Sequence, residues 1–158
     1  MGILNPKTIN NPAIYSIITN KYYSAQEKGI SVHLEVNMDL NKLNISNYDF
    51  CRILAILLDN AIEAAQKSKE KIINIRFTND KKYRRKVVTI ENSYNNPDID
   101  FDKLFDKGYS FKKCKKHEHG LGLWIVKRIL LKHDNLNLYT NIEEYFCQQL
   151  EIYKNGIK

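Results

Sequence analysis

Cysteine is scarce in this sequence: only Cys51, Cys114 and Cys147 occur among 158 residues. They are odd in number and far apart, with no Cys-x-x-Cys pair, which disfavours a disulfide scaffold and favours a reducing compartment. Long apolar runs are also missing, since no stretch approaches the ~18 residues of a membrane span. The first residues lack the charged and apolar regions of a signal peptide. These absences predict a soluble cytoplasmic domain.

The remaining composition is that of one ordinary globular domain. With 158 residues and 43% hydrophobic content, the chain can bury a core, and disorder is excluded as its main state. The net charge is +7, yet residues 81–86 and residues 103–116 each contribute five net positive charges. The first patch has the pattern of a hairpin tip with solvent-exposed charges, and the second precedes a glycine pair where cations could meet phosphate. Bulk charge therefore leaves the function open.

Hydrophobic periodicity predicts three helices and five strands, without internal repeats. The helices are expected at residues 12–28, about 47–68 and 121–133, and the strands at residues 30–38, 71–78, 86–92, 136–140 and 145–153. Asn11 and Ser46 are the predicted N-caps of the first two helices, and Gly29 suits the position after the first helix. This order favours an α+β, two-layer sandwich, in which three helices cover one face of a mixed, mostly antiparallel sheet.

Residues 93–119 lack sustained periodicity and are rich in Asn, Asp and Lys. A loop of this length inside a compact domain is uncommon and tends to be functional, as active-site lids are. We therefore expect a lid at about residues 94–119, within a domain that spans residues 12–155 and follows a linker at residues 1–11. The ligand should bind between the two layers, beneath this lid.

A glycine pair opens the third predicted helix, in the run His119-Gly120-Leu121-Gly122-Leu123. Glycine lets the backbone approach a ligand closely, and the first amides of a helix are donors at its positive dipole end, which suits phosphate. A third glycine and a preceding strand are missing, so the run is not a dinucleotide fingerprint. On this motif alone, a packing or turn role is an equally good interpretation.

Two further sets of polar residues interrupt apolar segments. Asp59, Asn60 and Glu63 lie in the second predicted helix, where Asn60 borders the buried face and needs a partner such as a metal or phosphate. Asn92 ends an apolar strand, where a side chain facing a cleft commonly hydrogen-bonds a bound ring. The alternative interpretations are a solvent-facing helix surface and a turn-capping asparagine.

Together these blocks resemble the GHKL nucleotide-binding superfamily. They are Leu57–Ala65, Ile90-Glu91-Asn92-Ser93, Lys107-Gly108-Tyr109-Ser110-Phe111-Lys112 and the glycine pair, in the order and spacing typical of that superfamily. Within that superfamily, the sequences of these motifs are most similar to those of the sensor histidine kinases of peptide quorum-sensing systems, the accessory-gene-regulator type. The resemblance runs from about residue 12 to residue 153 and implies a Bergerat (GHKL) fold and the ATP-binding catalytic domain of a kinase.

The resemblance assigns roles residue by residue. Asn60 matches the asparagine that ligands the Mg²⁺ on the ATP phosphates, and Asn92 matches the position that hydrogen-bonds the adenine amino group. Gly120 and Gly122 match the glycines whose amides hold phosphate, and Lys112 matches the lid lysine that reaches the terminal phosphates. The remaining residues implied to bind ATP are Gly108, Ser110, His119, Leu121 and Leu123.

Some positions depart from the family pattern. Tyr94 and Asn96 stand near a usual glycine of the adenine pocket, and Phe111 replaces the common lid threonine. Glu63 occupies a position that is often basic, so a phosphate contact is not assigned to it. Ile56 stands where ATPase relatives carry a water-activating glutamate, and isoleucine cannot act as a base.

None of the four histidines has the setting of a phosphate acceptor, which lies on a dimerising helix. His33 falls on a strand, His133 ends a helix, and His117 and His119 lie in the lid. The resemblance therefore implies an acceptor histidine on a separate helical dimerisation domain, and a response regulator downstream. A zinc site from Cys114, His117 and His119 is better explained as coincidence.

The predicted function is thus a sensor-kinase catalytic domain that uses ATP and Mg²⁺, is monomeric in isolation, and meets a membrane only through the rest of its receptor. A free-standing GHKL serine kinase or ATPase is the second interpretation, and Ile56 argues against a built-in base there. A degenerate nucleotide-binding docking module is the third. A basic nucleic-acid binder that uses residues 81–86 is a remote fourth, and the expectation is that no nucleic acid binds.

Overall fold

The computed structural model describes residues 5–95, 105–106 and 121–157. Its helices are α1 (Pro12–Glu27), α2 (Asn47–Gln66) and α3 (Gly122–Leu131). Its strands are β1 (Ser31–Asn37), β2 (Ile72–Asp80), β3 (Arg85–Asn92), β4 (Leu136–Ile142) and β5 (Phe146–Tyr153). Every predicted helix and strand is present in the predicted order, with ends that differ by a few residues.

The strands form a single five-stranded sheet in the order β1-β2-β3-β5-β4. Only β1 and β2 pair in parallel, because α2 carries the chain back across the sheet between them. The other three pairings are antiparallel. With the three helices packed against this mixed sheet, the predicted two-layer α+β architecture is confirmed.

The predicted helix caps are also confirmed. The side-chain oxygen of Asn11 accepts hydrogen bonds from the backbone amides of Ala13 and Ile14, at 3.1 and 3.2 Å. Ser46 Oγ accepts from the amide of Asp49 at 3.1 Å. Gly29 follows α1 with φ of 74°, a left-handed conformation that costs a residue without Cβ little. Local chemistry alone therefore sets where α1 begins and ends and where α2 begins.

Helix α2 supplies the centre of the core. It lies between α1 and α3 and packs on β2 and β3. Its nine buried residues recur at helical spacing: Phe50, Ile53, Leu54, Leu57, Leu58, Ala61, Ile62, Ala64 and Ala65. Burial of so many apolar side chains on one helix holds the helical layer on the sheet.

Two apolar residues outside the predicted elements also belong to the core. Ile9, before α1, and Leu40, in the loop after β1, are each 1% exposed. Asn11 joins these segments, since its Nδ2 donates to Asn47 Oδ1 at 3.0 Å and to the Leu40 carbonyl at 3.5 Å. The segment before α1 is therefore packed against the loop after β1.

The basic hairpin between β2 and β3 is more structured than its charge pattern predicts. Arg85 Nε lies 2.8 Å from Asp80 Oδ2, and Arg85 Nη1 pairs with Glu151 on β5 and donates to the Tyr153 hydroxyl at 3.2 Å. The hydrogen bond from Arg85 lowers the pKa of Asp80 below its usual value. The expectation of a solvent-exposed charge is thus wrong for Arg85, whose guanidinium ties three strand ends together.

A buried serine pair fastens the end of α2 to the end of β3. Ser68 and Ser93 are 4% and 1% exposed, and their hydroxyl oxygens lie 2.7 Å apart. Ser68 Oγ donates to the Ala65 carbonyl at 2.7 Å and accepts from the Lys71 amide at 3.1 Å. Ser93 Oγ accepts from the Ile72 amide at 2.9 Å. The pair therefore satisfies the backbone where the chain turns from α2 into β2.

We expect Ser93→Ala to lower the free energy of unfolding by about 1–3 kcal/mol, because it leaves buried polar groups without a partner. Urea unfolding followed by circular dichroism measures this loss. Ser31→Ala is the matched control, since Ser31 is exposed at the start of β1 and should change stability by less than about 0.5 kcal/mol. Equal losses in the two variants would show that the serine pair is not a stabilising contact.

Candidate functional site

The first turn of α3 lies directly against α2 at Asn60. A Cβ placed on Gly122 would lie 2.9 Å from Ile56 Cγ2 and 3.8 Å from both the oxygen and the nitrogen of the Asn60 amide. Ile56 and Asn60 are one turn apart on α2 and are both half-buried. Glycine is required at position 122 because a larger side chain would collide with Ile56, and not because the backbone has a left-handed φ. The structure thus brings together two predicted site residues, Asn60 and Gly122, in the seam between α2 and α3.

The N-terminus of α3 lies beside this seam and receives no side-chain cap from its own N-cap residue. Leu121 is the N-cap residue and forms no side-chain cap, so the first amides of α3 receive no acceptor from it. The positive end of the helix dipole adds to the attraction for a negative group. Leu121 is half-buried, whereas Leu123 is 7% exposed and belongs to the core. The side chain of Leu123 therefore serves packing.

Asn92 supplies a buried amide at the end of β3. It is 2% exposed, and its Nδ2 donates to the Ser93 carbonyl at 2.9 Å. That bond engages one of the two N–H donors of the amide, and the amide oxygen is its acceptor atom. Asn92 is paired with Ile73 of β2 and Phe146 of β5, on the sheet face beneath α2. A predicted site residue therefore lies on the sheet layer, facing the helical layer that carries Asn60.

A second buried amide, which no sequence motif predicted, lies on the same face. Gln148 is 3% exposed on β5, and its Nε2 donates to Thr140 Oγ1 of β4 at 3.3 Å. Its cross-strand partner is Ile90, two residues before Asn92, so Gln148 is a diagonal neighbour of Asn92 at roughly 7–8 Å. A polar residue at an inward position between Phe146 and Leu150 is the pattern that could have revealed it.

Tyr94 anchors the chain just after Asn92. Its hydroxyl donates to the Glu143 carbonyl in the turn between β4 and β5, at 2.9 Å. The chain therefore leaves β3 across the end of the neighbouring strand. This direction places residues 94–95, the start of the predicted lid, beside the strand end that carries Asn92.

The two acidic residues near Asn60 have different surroundings. Asp59 is largely exposed and its carboxylate lies 2.7 Å from Lys21 Nζ of α1. Glu63 is half-buried on α2. The interpretation of a solvent-facing residue is therefore confirmed for Asp59, whereas Asn60 lies on the side of α2 that meets α3.

Several predicted site residues fall outside the part of the chain that the structure describes: Gly108, Ser110, Lys112, His119 and Gly120. Cys114 and His117 are also outside it. Among the described histidines, His33 is exposed on β1, and His133 follows α3 with its Nε2 3.0 Å from Asp49 Oδ2. Neither of these two lies on a helix that could dimerise.

The described residues contain no group of three His, Cys, Asp or Glu side chains that could hold a metal ion. The amide oxygen of Asn60 is a hard oxygen donor, of the kind that Mg²⁺ accepts together with phosphate oxygens and water.

No helix within the described residues is both long and apolar enough to cross a membrane.

Comparison with known proteins identifies the family. Residues 43–153 match the GHKL domain family, so the chain belongs to that family. The sensor histidine kinase DpiB of Escherichia coli strain K12 is 27% identical over 117 residues, which is 72% of this chain and 21% of DpiB. The chain therefore spans about a fifth of that relative's length.

Solved structures share the fold. The nucleotide-free catalytic domain of the histidine kinase ThkA gives a TM-score of 0.70 at 22% identity, covering 90% of this chain and 92% of that domain. Acinetobacter baumannii histidine kinase AdeS gives 0.68 at 14% identity, covering 92% of this chain and 64% of that one. Full-length ShkA in complex with AMPPNP gives 0.67 at 16% identity, covering 92% of this chain and 30% of ShkA. These similarities confirm the architecture.

We expect Gly122→Ala to destabilise the fold, although alanine is the better helix former by about 1 kcal/mol in a helix interior. The added methyl group would overlap Ile56 Cγ2, which is fixed to a stiff β-branched side chain, and overpacking of this kind costs about 1–3 kcal/mol. Urea unfolding of Gly122→Ala, Ile56→Ala and the double variant measures the coupling between the two positions.

The double variant should lose less stability than the sum of the single losses, because Ile56→Ala removes the obstructing methyl group. Strictly additive losses would show that Gly122 and Ile56 are not in close contact.

Proposed function

We propose that this chain is the ATP-binding catalytic domain of a two-component sensor histidine kinase. It binds Mg·ATP and donates the γ-phosphate to a histidine on a separate dimerisation domain. The observation that carries the proposal is the seam between α2 and α3, where the backbone of Gly122 lies against the amide of Asn60 beside an uncapped helix N-terminus. A phosphate and a divalent cation are the ligands that such donors and acceptors suit together.

The phosphate end of the site uses residues from both helices of this seam, α2 and α3. The Asn60 oxygen would hold Mg²⁺, which neutralises charge on the phosphates, and the amides of Gly120 and Gly122 would donate to phosphate oxygens. The family pattern adds Gly108, Ser110, Lys112 and His119 from the lid at residues 94–119, with Lys112 reaching the terminal phosphates. Phosphoryl transfer depends mainly on such positioning and charge neutralisation.

The adenine end is the buried end of β3. Because Asn92 Nδ2 donates to the Ser93 carbonyl, its oxygen is left to accept a hydrogen bond from the adenine amino group. An uncharged amide serves this role without placing a carboxylate in a buried site, which would cost desolvation energy. Gln148, the diagonal neighbour of Asn92, gives this end of the pocket a second polar side chain.

The chain's own residues do not supply a base for hydrolysis at the expected position. Ile56 stands one turn before Asn60, in contact distance of the Gly122 position, and its side chain is apolar. Water at this point would not be activated, so the γ-phosphate is kept for a better nucleophile. This feature supports a kinase that transfers to a partner and argues against a free-standing ATPase.

The resemblance of the motifs supports the finer assignment to the accessory-gene-regulator type of quorum-sensing kinase. On this proposal the partners are the histidine-bearing helical domain of the same receptor and a response regulator. The domain itself is cytoplasmic, monomeric in isolation, and connected to a membrane only through the rest of the receptor. The similarity to DpiB, a sensor histidine kinase of which the chain matches a fifth, supports this setting.

We expect Asn60→Ala to abolish Mg²⁺-dependent ATP binding without unfolding the domain, because it removes the amide oxygen that would ligand the metal. Isothermal titration calorimetry with ATP, with and without Mg²⁺, measures this loss. Asn20→Ala, which removes an exposed amide from α1, is the matched control and should bind as the parent does. Unchanged Mg·ATP affinity in a folded Asn60→Ala variant would rule out the metal assignment.

We further expect the 158-residue chain to bind Mg·ATP while neither labelling itself nor hydrolysing ATP appreciably. A general base typically contributes ~10²–10⁴-fold in rate, and Ile56 cannot provide one. Incubation with γ-labelled ATP, alone and with the helical domain of the same receptor, tests this. In the mixture, acid-labile label should appear on the helical domain. In the incubation of the chain alone, no label should appear on the protein.

Two other outcomes would replace the proposal. Rapid turnover or self-labelling by the chain alone would favour a free-standing GHKL ATPase or serine kinase. Failure to bind any adenine nucleotide in calorimetry would favour a degenerate module that only docks partners.

A further inference from the structure

We propose that the far end of the sheet carries a second anion site, which binds a compact oligophosphate. The site is a groove of about 550 Å³, the hairpin groove, between the β2–β3 hairpin, the loop after β1 and the segment after β5. Six of its nine lining residues are Lys or Arg and none is acidic. Its volume falls within the roughly 300–1,000 Å³ of small-molecule sites.

The floor of the hairpin groove is the helix-facing side of the sheet, beyond the end of the helical layer. Lys86 lies there between Asn79 on β2 and Ile152 on β5, its two cross-strand partners. Lys86 is two residues before the buried Val88, so it shares the face of the core. A half-buried lysine beside an asparagine amide offers a charged donor and a neutral donor to one oxyanion.

The walls of the hairpin groove are held in place by hydrogen bonds. Asn135 Nδ2 donates to the Asn44 carbonyl at 2.7 Å and to the Tyr153 carbonyl at 3.0 Å, which joins the loop after β1 to the end of β5. The Lys154 amide donates to the Arg84 carbonyl at 2.9 Å, which joins the hairpin turn to the segment after β5. The groove is therefore preformed, which lowers the entropic cost of binding.

The charge in the hairpin groove is only partly compensated. Arg85 is neutralised by Asp80 and Glu151 and has a structural role. Lys42 Nζ lies 3.8 Å from Asp39 Oδ2, a carboxylate that also attracts Lys86. Four other cations lie within 4.0 Å of no carboxylate in the described part of the chain: Lys81, Arg84, Lys86 and Lys154. A multiply charged anion bound among them would relieve their mutual repulsion.

The aromatic neighbour of the groove favours a small anion over a nucleic acid. Tyr83 is exposed, but the Lys82 ammonium lies 5.3 Å and the Arg85 guanidinium 5.2 Å from its ring centre. The ring is therefore engaged by cations from its own hairpin, whereas single-stranded nucleic acids need aromatic faces on which bases can stack.

The hairpin groove is remote from the candidate functional site. Arg85 begins β3 and Asn92 ends it, seven residues further on, which is about 23 Å at ~3.3 Å per residue. Binding at one end does not need residues at the other. The proposal therefore stands or falls separately from the proposed kinase function.

The test is a titration of the ¹⁵N-labelled 158-residue chain with sodium tripolyphosphate, followed by amide chemical-shift changes. Saturable shifts are expected at Asn79, Lys86 and Lys154, and they should persist in the Asn60→Ala variant. The double variant Lys86→Gln with Lys154→Gln should bind at least about tenfold more weakly, because it removes two charged donors. Urea unfolding verifies that the variant is folded.

The matched control is Lys7→Gln with Lys69→Gln, which removes the same charge from exposed positions outside the groove and should change affinity by less than about twofold. An equal loss of tripolyphosphate affinity in both double variants would show that only the net charge of the protein matters, and it would overturn the proposal. Shifts confined to Asn60 and Gly122 would also overturn it, since the anion would then occupy only the candidate functional site. Groove shifts caused by a twelve-nucleotide single-stranded DNA, or by phosphatidylserine vesicles, but not by tripolyphosphate would assign the surface to nucleic acid or membrane instead.

Discussion

The packing of α2 on the sheet is the constraint on which the rest of the structure depends. Nine residues of this one helix are buried, and α1, α3, β2 and β3 all contact it. A polar side chain of α2 that borders the core therefore lies at a seam between α2 and a neighbouring element. Asp59 lies on the side of α1 and pairs with Lys21, whereas Asn60 lies on the side of α3 against Gly122. The position of the candidate site follows from the packing of the core.

The same constraint explains why both proposed sites lie at the ends of β3. This strand is bonded on one edge to β2 and on the other to β5, and α2 covers its helix-facing side. The middle of its helix-facing side is consequently filled by the apolar Val88 and Ile90, and the polar side chains of that side are at the two ends. Asn92 is at one end and Lys86 at the other, so a single strand separates the proposed nucleotide site from the proposed anion site.

Much of the fold was predictable because the relevant signals are local. An amphipathic helix repeats its apolar residues over consecutive turns, and α2 follows this pattern throughout its length. The caps at Asn11 and Ser46 depend on side chains within three residues of the amides they bind. The strand β1 alternates between half-buried and exposed residues as its sequence does. Each of these features is signalled by residues that are close together along the chain.

Other features had no local signal. Ile9 and Leu40 are single apolar residues in irregular segments, so no period marks them as core. Ser68 and Ser93 form a pair across 25 residues of sequence, and Arg85 meets Glu151 across 66. Such contacts depend on which elements become neighbours, and the sequence pattern alone does not give strand order.

The sequence by itself determined the elements, their caps, the two-layer class and the residues Asn60, Asn92 and Gly122 as candidates, because periodicity and short motifs carry that information. The tertiary structure decided which candidates meet: it placed Gly122 on Asn60, engaged Asp59 with Lys21, buried Asn92 beside Gln148, and gathered lysines from three segments into the hairpin groove. These outcomes required the packing of α2 and the strand order β1-β2-β3-β5-β4, which bring together residues that are far apart in the chain.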